Sequence, residues 1–342
     1  MNIEHTSVDC HAHYWPSEMV AALDAGRTWH GWSVERTPDG AEVLACAAGQ
    51  APFRGSTLRE SFEERAARRQ AEEAIDMEAL MVPAFLWNYH LEGVSGAAYC
   101  RDVNDELADM QRSHPDRLVG LAVLPLQDPV RAAAEVERCV KDLGLRGFAL
   151  GTHVGGRNLD DPEVVRTLDA IFEADAAIMM HPNWFDRIGD ERMPRYYFSN
   201  SFGVPLEVGL AVMSIAYSGV LDRHPAARVG ITHGGGWLPY GIGRLLLRTG
   251  QGRDGGGHNQ SPPDLYLRRF YYDILIHDEL SLELLVRRVG ADRLLIGTDY
   301  PFKGDIPGGA VPWIENMGFL TTREKEMILG GNAHRFLRIP RA

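Results

Sequence analysis

Short apolar runs alternate along the chain with longer stretches in which apolar residues recur about every 3.6 positions. A short run rich in β-branched residues is typical of a buried strand, whereas the longer periodic stretch is typical of an amphipathic helix. Their alternation predicts βα units around a parallel sheet. Eight strands are predicted, at Ser7–His11, Ala79–Pro83, Leu118–Leu124, Gly147–Gly151, Ala177–His181, Arg228–His233, Phe270–Leu275 and Arg293–Asp299.

The helical stretches lie between the predicted strands. Eight strands with intervening helices predict a closed (β/α)8 barrel of the α/β class, the TIM barrel. An open, doubly wound sheet is the alternative, but the glycine-rich phosphate turn that usually follows its first strand is missing. The helical periodicity is clearest at Thr57–Asp76, Val130–Leu143, Pro162–Asp175, Leu280–Val289 and Thr322–Phe336.

Two segments interrupt the repeat. The first, at about residues 14–56, is rich in Trp, Gly and Pro and is predicted to be a small insertion after the first strand. The second runs from Thr249 to Pro263. Insertions of this length are usually lids or contacts between subunits. We predict a single domain over residues 1–342, because barrels of this kind reach such lengths as one unit.

The chain is acidic, with 35 Lys and Arg against 47 Asp and Glu and a net charge of −12. Nucleic acids and anionic membranes attract basic surfaces, so neither is expected as a partner. No run approaches the ~20 apolar residues of a membrane helix. The four cysteines lack the spacing of metal ligands or of a disulfide framework, which predicts a cytoplasmic protein. Any anionic substrate must then be met by local arginines.

Four of the predicted strands end in side chains that bind metals. His11 and His13 end the first strand, and because residues i and i+2 point to the same face, both can project toward the barrel axis. His181, His233 and Asp299 end the fifth, sixth and eighth strands, at the end of a barrel where catalysis takes place. A lone His is more often a satisfied polar residue, but this combination predicts a metal site. Such ligands suit Zn²⁺, and Mn²⁺, Fe²⁺ or Co²⁺ are compatible with them.

Two motifs, His-Gly-Gly-Gly after the sixth strand and Gly-Thr-Asp-Tyr-Pro-Phe at the eighth, are specific to one subgroup of the amidohydrolase superfamily. The chain resembles the α-amino-β-carboxymuconate-ε-semialdehyde decarboxylase family from about Val8 to Phe336. The resemblance implies a metal-dependent, non-oxidative decarboxylase of a small unsaturated or aromatic carboxylic acid, such as a carboxymuconate semialdehyde or a hydroxybenzoate-type acid. A metal-dependent hydrolase of a lactone, amide or ester is the alternative. The similar stretches are Val8–Pro16, Gly147–Val154, Thr232–Gly236, Ile276–Leu285 and Leu295–Phe302.

The resemblance also implies a role for each candidate ligand. It makes His11, His13, His181 and Asp299 the ligands of one metal, which they hold together with a water, and His233 the acid/base group beside that water. The chemistry of the residues agrees, because a metal-bound water has a pKa near ~7 and can exchange a proton with an imidazole of pKa ~6.5. His233 as a further metal ligand stays open.

A second metal is not expected. Binuclear members of the superfamily carry a carboxylated lysine at the end of the fourth strand, where this chain reads Ala149-Leu150-Gly151-Thr152-His153. His153 either faces the substrate or is a hydrogen-bonded loop residue.

Substrate binding is predicted from two arginines and several aromatic side chains. Arg54 and Arg244 stand where the family places two arginines that bind carboxylates, a task suited to the paired donors of a guanidinium group. The family counterpart of Arg244 reaches into the neighbouring subunit, so the resemblance implies an active homodimer; a surface position is the alternative for both arginines. The chain departs from the family pattern between His181 and Gly203, which leaves the exact substrate open. The aromatic residues predicted to sandwich a flat substrate are Trp184, Tyr197, Trp237 and Phe302.

Overall fold

The computed structural model describes residues 6–53, 59–249, 257–302, 306 and 308–339. Eight parallel strands form one sheet whose order follows the chain. The sheet closes into a barrel because Asp9 and Ala12, in the first strand, form parallel bridges with Ile296 and Tyr300, which follow the last. The predicted (β/α)8 barrel is thereby confirmed. The strands are β1 (Val8–His13), β2 (Met77–Met81), β3 (Leu118–Ala122), β4 (Gly147–Leu150), β5 (Ala177–Met180), β6 (Arg228–Ile231), β7 (Phe270–Asp273) and β8 (Leu294–Leu295).

Every predicted strand overlaps an observed one, but most of the observed strands end earlier at the end that carries the candidate ligands. β6 ends at Ile231, before His233, whose φ of +54° takes the chain out of the extended conformation. β8 is only two residues long, and beyond it Asp299 has a φ of +59°. The predicted strands are longer than the observed ones because the residue pattern continues into these turns. There the backbone no longer forms the hydrogen bonds of the sheet.

The helices are set by caps at their N-termini as well as by their apolar faces. The helix Phe62–Glu73 starts with a capping box between Ser61 and Glu64, and the predicted start at Thr57 lies outside the described residues. The longer helices are α1 (Ser17–Asp24), α2 (Phe62–Glu73), α3 (Gly93–Ser113), α4 (Pro129–Arg138), α5 (Pro162–Glu173), α6 (Val204–Tyr217), α7 (Leu238–Thr249) and α8 (Glu279–Val289). Five shorter helices are Val220–Arg223, Pro263–Tyr266, Ala310–Glu315, Thr322–Glu326 and Asn332–Leu337.

The stretch between β1 and α2 holds α1 and a separate antiparallel sheet of three strands, Ser33–Arg36, Glu42–Cys46 and Gly49–Pro52. The predicted insertion at residues 14–56 contains these elements. The extent of a single domain stays a prediction, and much of the second segment, Thr249 to Pro263, lies outside the described residues.

Two indole groups tie this small sheet to the barrel. Nε1 of Trp32 donates to Oδ1 of Asn88 at 2.9 Å, and Nε1 of Trp184 donates to the carbonyl oxygen of Gln50 at 3.2 Å. Asn88 follows β2 and Trp184 follows β5, so the sheet lies beside the carboxyl ends of the barrel strands. It therefore forms part of the surroundings of any site at that end.

The barrel strands are buried along almost their whole length, and Val119 of β3 is partly exposed. Every residue of β2, β4, β5 and β6 is buried, which is why these strands read as continuous apolar runs rather than as alternating ones. Buried polar side chains occur among them at the carboxyl ends, including His11, His13, His181 and Asp273. Within the described ranges no helix has the length and apolar character that a membrane crossing requires.

Candidate metal centre

Four side chains from three parts of the barrel converge on one point. β1 supplies His11 and His13, the residue after β5 is His181, and the turn after β8 supplies Asp299. One ligand atom from each lies within 4.8 Å of all the others. Oδ1 of Asp299 is 2.9 Å from Nε2 of His13, 3.2 Å from Nε2 of His11 and 3.9 Å from Nε2 of His181. The structure thus brings together the four residues that the sequence singled out as ligands.

The other ring nitrogen of each of the three histidines faces a hydrogen-bond acceptor. Nδ1 of His11 is 2.7 Å from a carboxylate oxygen of Asp273, Nδ1 of His13 is 3.1 Å from the carbonyl of Val82, and Nδ1 of His181 is 2.8 Å from the carbonyl of Pro182. Because oxygen acceptors need a donor, these contacts assign the proton to Nδ1 in each ring. The three Nε2 atoms then point lone pairs at the common centre.

This arrangement fits a divalent cation. Lone pairs on Nε2 and an ionised Asp299 are all acceptors, so atoms only 2.9–3.2 Å apart do not satisfy one another. Nε2 of His11 is fully buried and has no hydrogen-bond partner among the residues that the structure describes. A buried polar atom left in this way is costly unless a cation meets it. Imidazole nitrogen and carboxylate oxygen are common ligand atoms of divalent transition metals.

Asp273 orients the first ligand, and sequence reasoning missed it. It is fully buried at the end of β7, where its Oδ1 accepts hydrogen bonds from the backbone N–H groups of Gly234 at 2.8 Å and Leu275 at 3.1 Å. Its Oδ2 accepts the hydrogen bond from Nδ1 of His11. The available signal was a single carboxylate within the apolar run of the predicted seventh strand, but nothing in the sequence pairs it with a residue 262 positions away.

The electrostatics of the cluster favour a cation. Burial opposes a charge on His11, but the carboxylates of Asp299 and Asp273 outweigh it and raise its pKa to about 10, so in the absence of a metal a proton on Nε2 of His11 takes the place of the cation. Burial lowers the pKa of His13 to about 4, although Asp299 opposes this shift. Burial alone would raise the pKa of Asp273, yet hydrogen bonding and attraction to His11 hold it below its usual value. Burial would likewise raise the pKa of Asp299, whose side chain is 22% exposed, but His11 and His13 hold it well below its usual value. Two ionised carboxylates in this largely buried cluster therefore favour a positive charge.

His233 lies at the edge of the cluster. Its ring centroid is 5.1 Å from that of His11 and 5.3 Å from that of His181, both edge to face. Its side chain is partly exposed, and burial together with repulsion from His11 and His181 lowers its pKa to about 3. The three glycines that follow fold the chain tightly: a Cβ on Gly236 would lie 2.2 Å from the carbonyl oxygen of Pro205. A larger residue at Gly236 would therefore displace the turn that carries His233.

Aromatic rings surround the cluster on one side. Phe302 lies 5.4 Å from the ring of His13 and 6.3 Å from Phe85, and Phe85 lies 5.9 Å from Trp184. Trp87 is 6.3 Å from His181. Phe302 thus contacts a candidate ligand, whereas Trp184 is linked to the cluster only through Phe85, and the substrate roles of both stay predictions. Phe85 and Trp87 were missed because apolar residues after a strand read as ordinary core.

The remaining predicted residues are less centrally placed. Arg54 lies outside the described residues, and Arg244 is exposed on α7. Tyr197 is 87% exposed, so in the single chain the structure does not bring it against the metal ligands, and its substrate role stays a prediction. Trp237 is also partly exposed. His153 is buried after β4, where its Nδ1 accepts from the N–H of Gly156 at 3.3 Å, in keeping with the loop role considered for it.

Comparison with known proteins gives a consistent family and fold. A family model described as amidohydrolase matches residues 8–339. The chain is 33% identical over 274 residues to 2-amino-3-carboxymuconate-6-semialdehyde decarboxylase of Dictyostelium discoideum, covering 77% of this chain and 73% of that protein. The crystal structure of 5-carboxyvanillate decarboxylase from Sphingomonas paucimobilis superposes with a TM-score of 0.82 at 23% identity, covering 98% of this chain and all of that one.

A second similar structure contains a metal. It is the 5-carboxyvanillate decarboxylase of Novosphingobium aromaticivorans complexed with manganese and 4-hydroxy-3-methoxy-5-nitrobenzoic acid. Its TM-score is 0.79 at 19% identity, and the alignment covers 98% of this chain and 97% of that one. At this identity the likeness establishes the shared barrel.

Proposed function

This chain belongs to the amidohydrolase family, and on that premise we propose that it is a metal-dependent decarboxylase that releases CO₂, without an oxidant, from a small unsaturated or aromatic carboxylic acid. The observation that carries the proposal is the convergence of three imidazoles and one carboxylate on a single point, with a fourth imidazole at its edge. Proteins named as decarboxylases of a carboxymuconate semialdehyde and of 5-carboxyvanillate share the family or the fold and support this choice of reaction.

The metal site of this proposal consists of His11, His13, His181 and Asp299. We assign one Zn²⁺ per subunit, since three imidazoles and a carboxylate suit that ion. Mn²⁺ is the first alternative, because a structural relative is complexed with manganese, and Fe²⁺ and Co²⁺ accept the same donors. When bound, the ion supplies Lewis-acid polarisation of a substrate oxygen.

The protein's own side chains must then move a proton. Decarboxylation breaks the bond between the carboxylate carbon and its neighbour, and the electron pair left on that neighbour is taken up by a proton. That proton comes from solvent water, and His233 is assigned its relay: with a pKa lowered to about 3 the ring is neutral and can accept a proton from water and pass it on, and it contacts the rings of His11 and His181. Phe302, Phe85 and Trp184 offer flat apolar surfaces against which a conjugated acid can stack.

Recognition of the carboxylate is assigned to Arg54 and to Arg244 of a second subunit in a homodimer. Arg244 is exposed on α7, and the same helix exposes Tyr240 and Leu247, which are 43% and 60% exposed. α6 adds Leu206 and Leu210, which also leave much of their side chains exposed. Exposed apolar side chains on α6 and on α7, the helix that carries Arg244, support an interface between copies of the chain.

The chemistry is tested with the purified, metal-loaded enzyme. CO₂ release and acid release are measured on a panel of carboxymuconate semialdehydes, hydroxybenzoates and lactones. His233→Ala is expected to retain metal and to lose turnover by about 10²–10⁴-fold, the usual contribution of a positioned acid/base group. The matched control is His224→Ala, since His224 is bonded to Asp169 away from the cluster and should keep turnover. Acid release without CO₂ would replace the decarboxylase with a hydrolase, and normal turnover by His233→Ala would remove that residue.

The shared site is tested by mixing two inactive variants. If Arg244 completes the neighbour's site, Arg244→Ala and His233→Ala subunits form heterodimers in which one of two sites has both residues. Random exchange then restores about a quarter of wild-type turnover. No recovery, with exchange verified by differently sized tags, would assign Arg244 to the site of its own subunit, whereas normal turnover by Arg244→Ala alone would assign it to the surface.

A cytoplasmic location completes the proposal. All four cysteines are free thiols, and three of them are buried, as expected for a chain that folds in a reducing compartment. Fractionation of the native host tests it, and recovery in an exported fraction would contradict it.

A further inference from the structure

The metal ligand Asp299 is held in a backbone conformation that its neighbours must enforce. Its φ of +59° lies in the left-handed region, which costs residues other than glycine free energy. Strained residues of this kind persist only where the surrounding structure over-determines them. The backbone N–H of Asp299 donates to the carbonyl of His11 at 2.8 Å, but its side chain faces the three imidazoles. The position of the carboxylate therefore depends on what holds Thr298 and Tyr300, the residues on either side.

The residue after Asp299 is held by three arginines of one helix. Arg65, Arg68 and Arg69 occupy positions i, i+3 and i+4 of α2 and so share a face. Their guanidinium carbons lie 4.4, 5.2 and 4.6 Å from the centroid of the Tyr300 ring. The Tyr300 hydroxyl also bonds to Arg68 and lies 3.3 Å from a carboxylate oxygen of Glu60. Cations at this range are attracted to an aromatic face, so α2 fixes the ring in place.

The residue before Asp299 is held by the same helix. Arg69 donates to Oγ1 of Thr298 at 3.0 Å, and this hydroxyl donates in turn to Asp9 at 2.5 Å. Arg69 also forms an ion pair with Asp9, two residues before His11. Arg65 donates to the carbonyl oxygen of His13 at 2.6 Å. α2 thus contacts the residues on both sides of Asp299, and it also contacts β1, the strand that carries His11 and His13.

Stability alone is a weak reason for this arrangement. Arg65, Arg69, Asp9 and Glu78 are all buried, and Glu78 pairs with both arginines, at 2.8 Å from Arg65 and 3.2 Å from Arg69. Buried ion pairs often contribute no more than apolar residues of the same size, because desolvation offsets their attraction. They do fix geometry, since each charged group must keep its partners.

We propose that Arg65, Arg68 and Arg69 of α2 are positioning residues for the metal ligand Asp299, acting through the Tyr300 ring and the Thr298 hydroxyl. The inference rests on the metal site of the proposed function and adds that metal affinity is set by a helix that supplies no ligand. It predicts that removing the Tyr300 ring or the Thr298 hydroxyl weakens metal binding. This loss of affinity should exceed that of a control variant with a similar loss of fold stability.

The experiment uses the full chain and Zn²⁺ alone, so it needs no substrate. Affinity is measured by competition with a chromophoric chelator, and the melting temperature of the metal-free protein is measured in parallel. Tyr300→Leu removes the ring that the arginines hold and is expected to weaken zinc binding at least about tenfold, within the range seen when outer partners of metal ligands are removed. Tyr300→Phe keeps the ring and is expected to stay within about threefold of wild type.

Two further variants keep the test decisive. Tyr266→Leu, at a buried tyrosine whose hydroxyl bonds to Asp222 outside the barrel mouth, should lower the melting temperature without changing zinc affinity. Thr298→Val keeps shape and removes the hydroxyl, and it replaces Tyr300→Leu if that variant does not fold. Wild-type zinc affinity in Tyr300→Leu or, in its place, in Thr298→Val would overturn the proposal. The same holds if Tyr266→Leu loses as much zinc affinity as Tyr300→Leu. A wild-type protein that binds zinc but releases no CO₂ would sink the decarboxylase alone, whereas one that binds neither Zn²⁺ nor Mn²⁺ would sink both.

Discussion

Replacing Asp273 with Asn is expected to disable the first metal ligand by changing where its proton sits. Oδ1 of Asp273 accepts two backbone N–H groups, so in the variant that position must remain the amide oxygen. The amide NH₂ is then forced toward Nδ1 of His11, 2.7 Å away in the native protein. Nδ1 must become an acceptor, the proton moves to Nε2, and the lone pair that faces the metal is lost.

The size of the effect follows from the contact that is lost. Substitution of an outer partner of a metal-ligating histidine typically costs 10–100-fold in affinity, which corresponds to about 1.4–2.7 kcal/mol. We expect Asp273→Asn to fall in the upper part of this range, since the tautomer is reversed and not merely released. Asp273→Ala removes the acceptor without adding a competing donor, so it should bind metal at least as tightly as Asp273→Asn.

Zinc competition titrations measure this directly, with melting of the metal-free protein as the check on folding. The control is Asp278→Asn, at the exposed residue whose side chain accepts from the N–H of Ser281 at the start of α8. Asn caps helices as well as Asp does, so zinc affinity should not change. Asp273→Asn with zinc affinity within about twofold of wild type would refute the assignment of the proton to Nδ1 of His11, as would tighter binding by it than by Asp273→Ala.

Three other outcomes are expected. In Gly297→Ala the new Cβ would lie 2.6 Å from Cβ of Asp273 and 2.9 Å from Cβ of His11. This overpacking should lower the free energy of unfolding by about 1–3 kcal/mol and weaken zinc binding. Unchanged zinc binding would contradict the close approach. Dialysis against a chelator should abolish turnover, and Zn²⁺ or Mn²⁺ at about 100 times its Kd should restore turnover and add about 2.7 kcal/mol of stability, whereas an unchanged melting curve would contradict a site in the folded protein. Ser61→Ala should cost about 0.5–2 kcal/mol in chemical denaturation by removing the cap of α2, while Ser61→Asp should cost little; equal losses would contradict the capping role.

Much of the candidate site could be predicted because its ligands stand at the ends of apolar runs. A polar residue at the end of a buried strand stands out from its neighbours, and in a barrel all such ends meet at one rim. This is why His11, His13, His181, His233 and Asp299 stood out as candidates, and the family resemblance implied that all of them except His233 are ligands. Asp273 escaped notice because it is one carboxylate inside such a run, and its partner is defined only when β7 lies near β1.

The aromatic and arginine positions show the limit of the same reasoning. Tyr197 and Phe302 both read as candidate walls of the site, yet one is 87% exposed and the other lies 5.4 Å from His13. Loops have no period that would indicate which way a side chain points. The arginines of α2 read as the polar face of an amphipathic helix, whereas two of them are buried in ion pairs under the turn of Asp299.

The sequence by itself determined the eight strands and the closed barrel, because burial on both faces and the repeat of βα units are local patterns, and the resemblance to a known family singled out four candidate metal ligands. The tertiary structure alone decided which nitrogen of each histidine faces the common centre, which carboxylate contacts His11 and which helix contacts the residues on both sides of Asp299. These features depend on hydrogen bonds and ion pairs between residues up to 289 positions apart, and such contacts have no definite partner until the chain has folded.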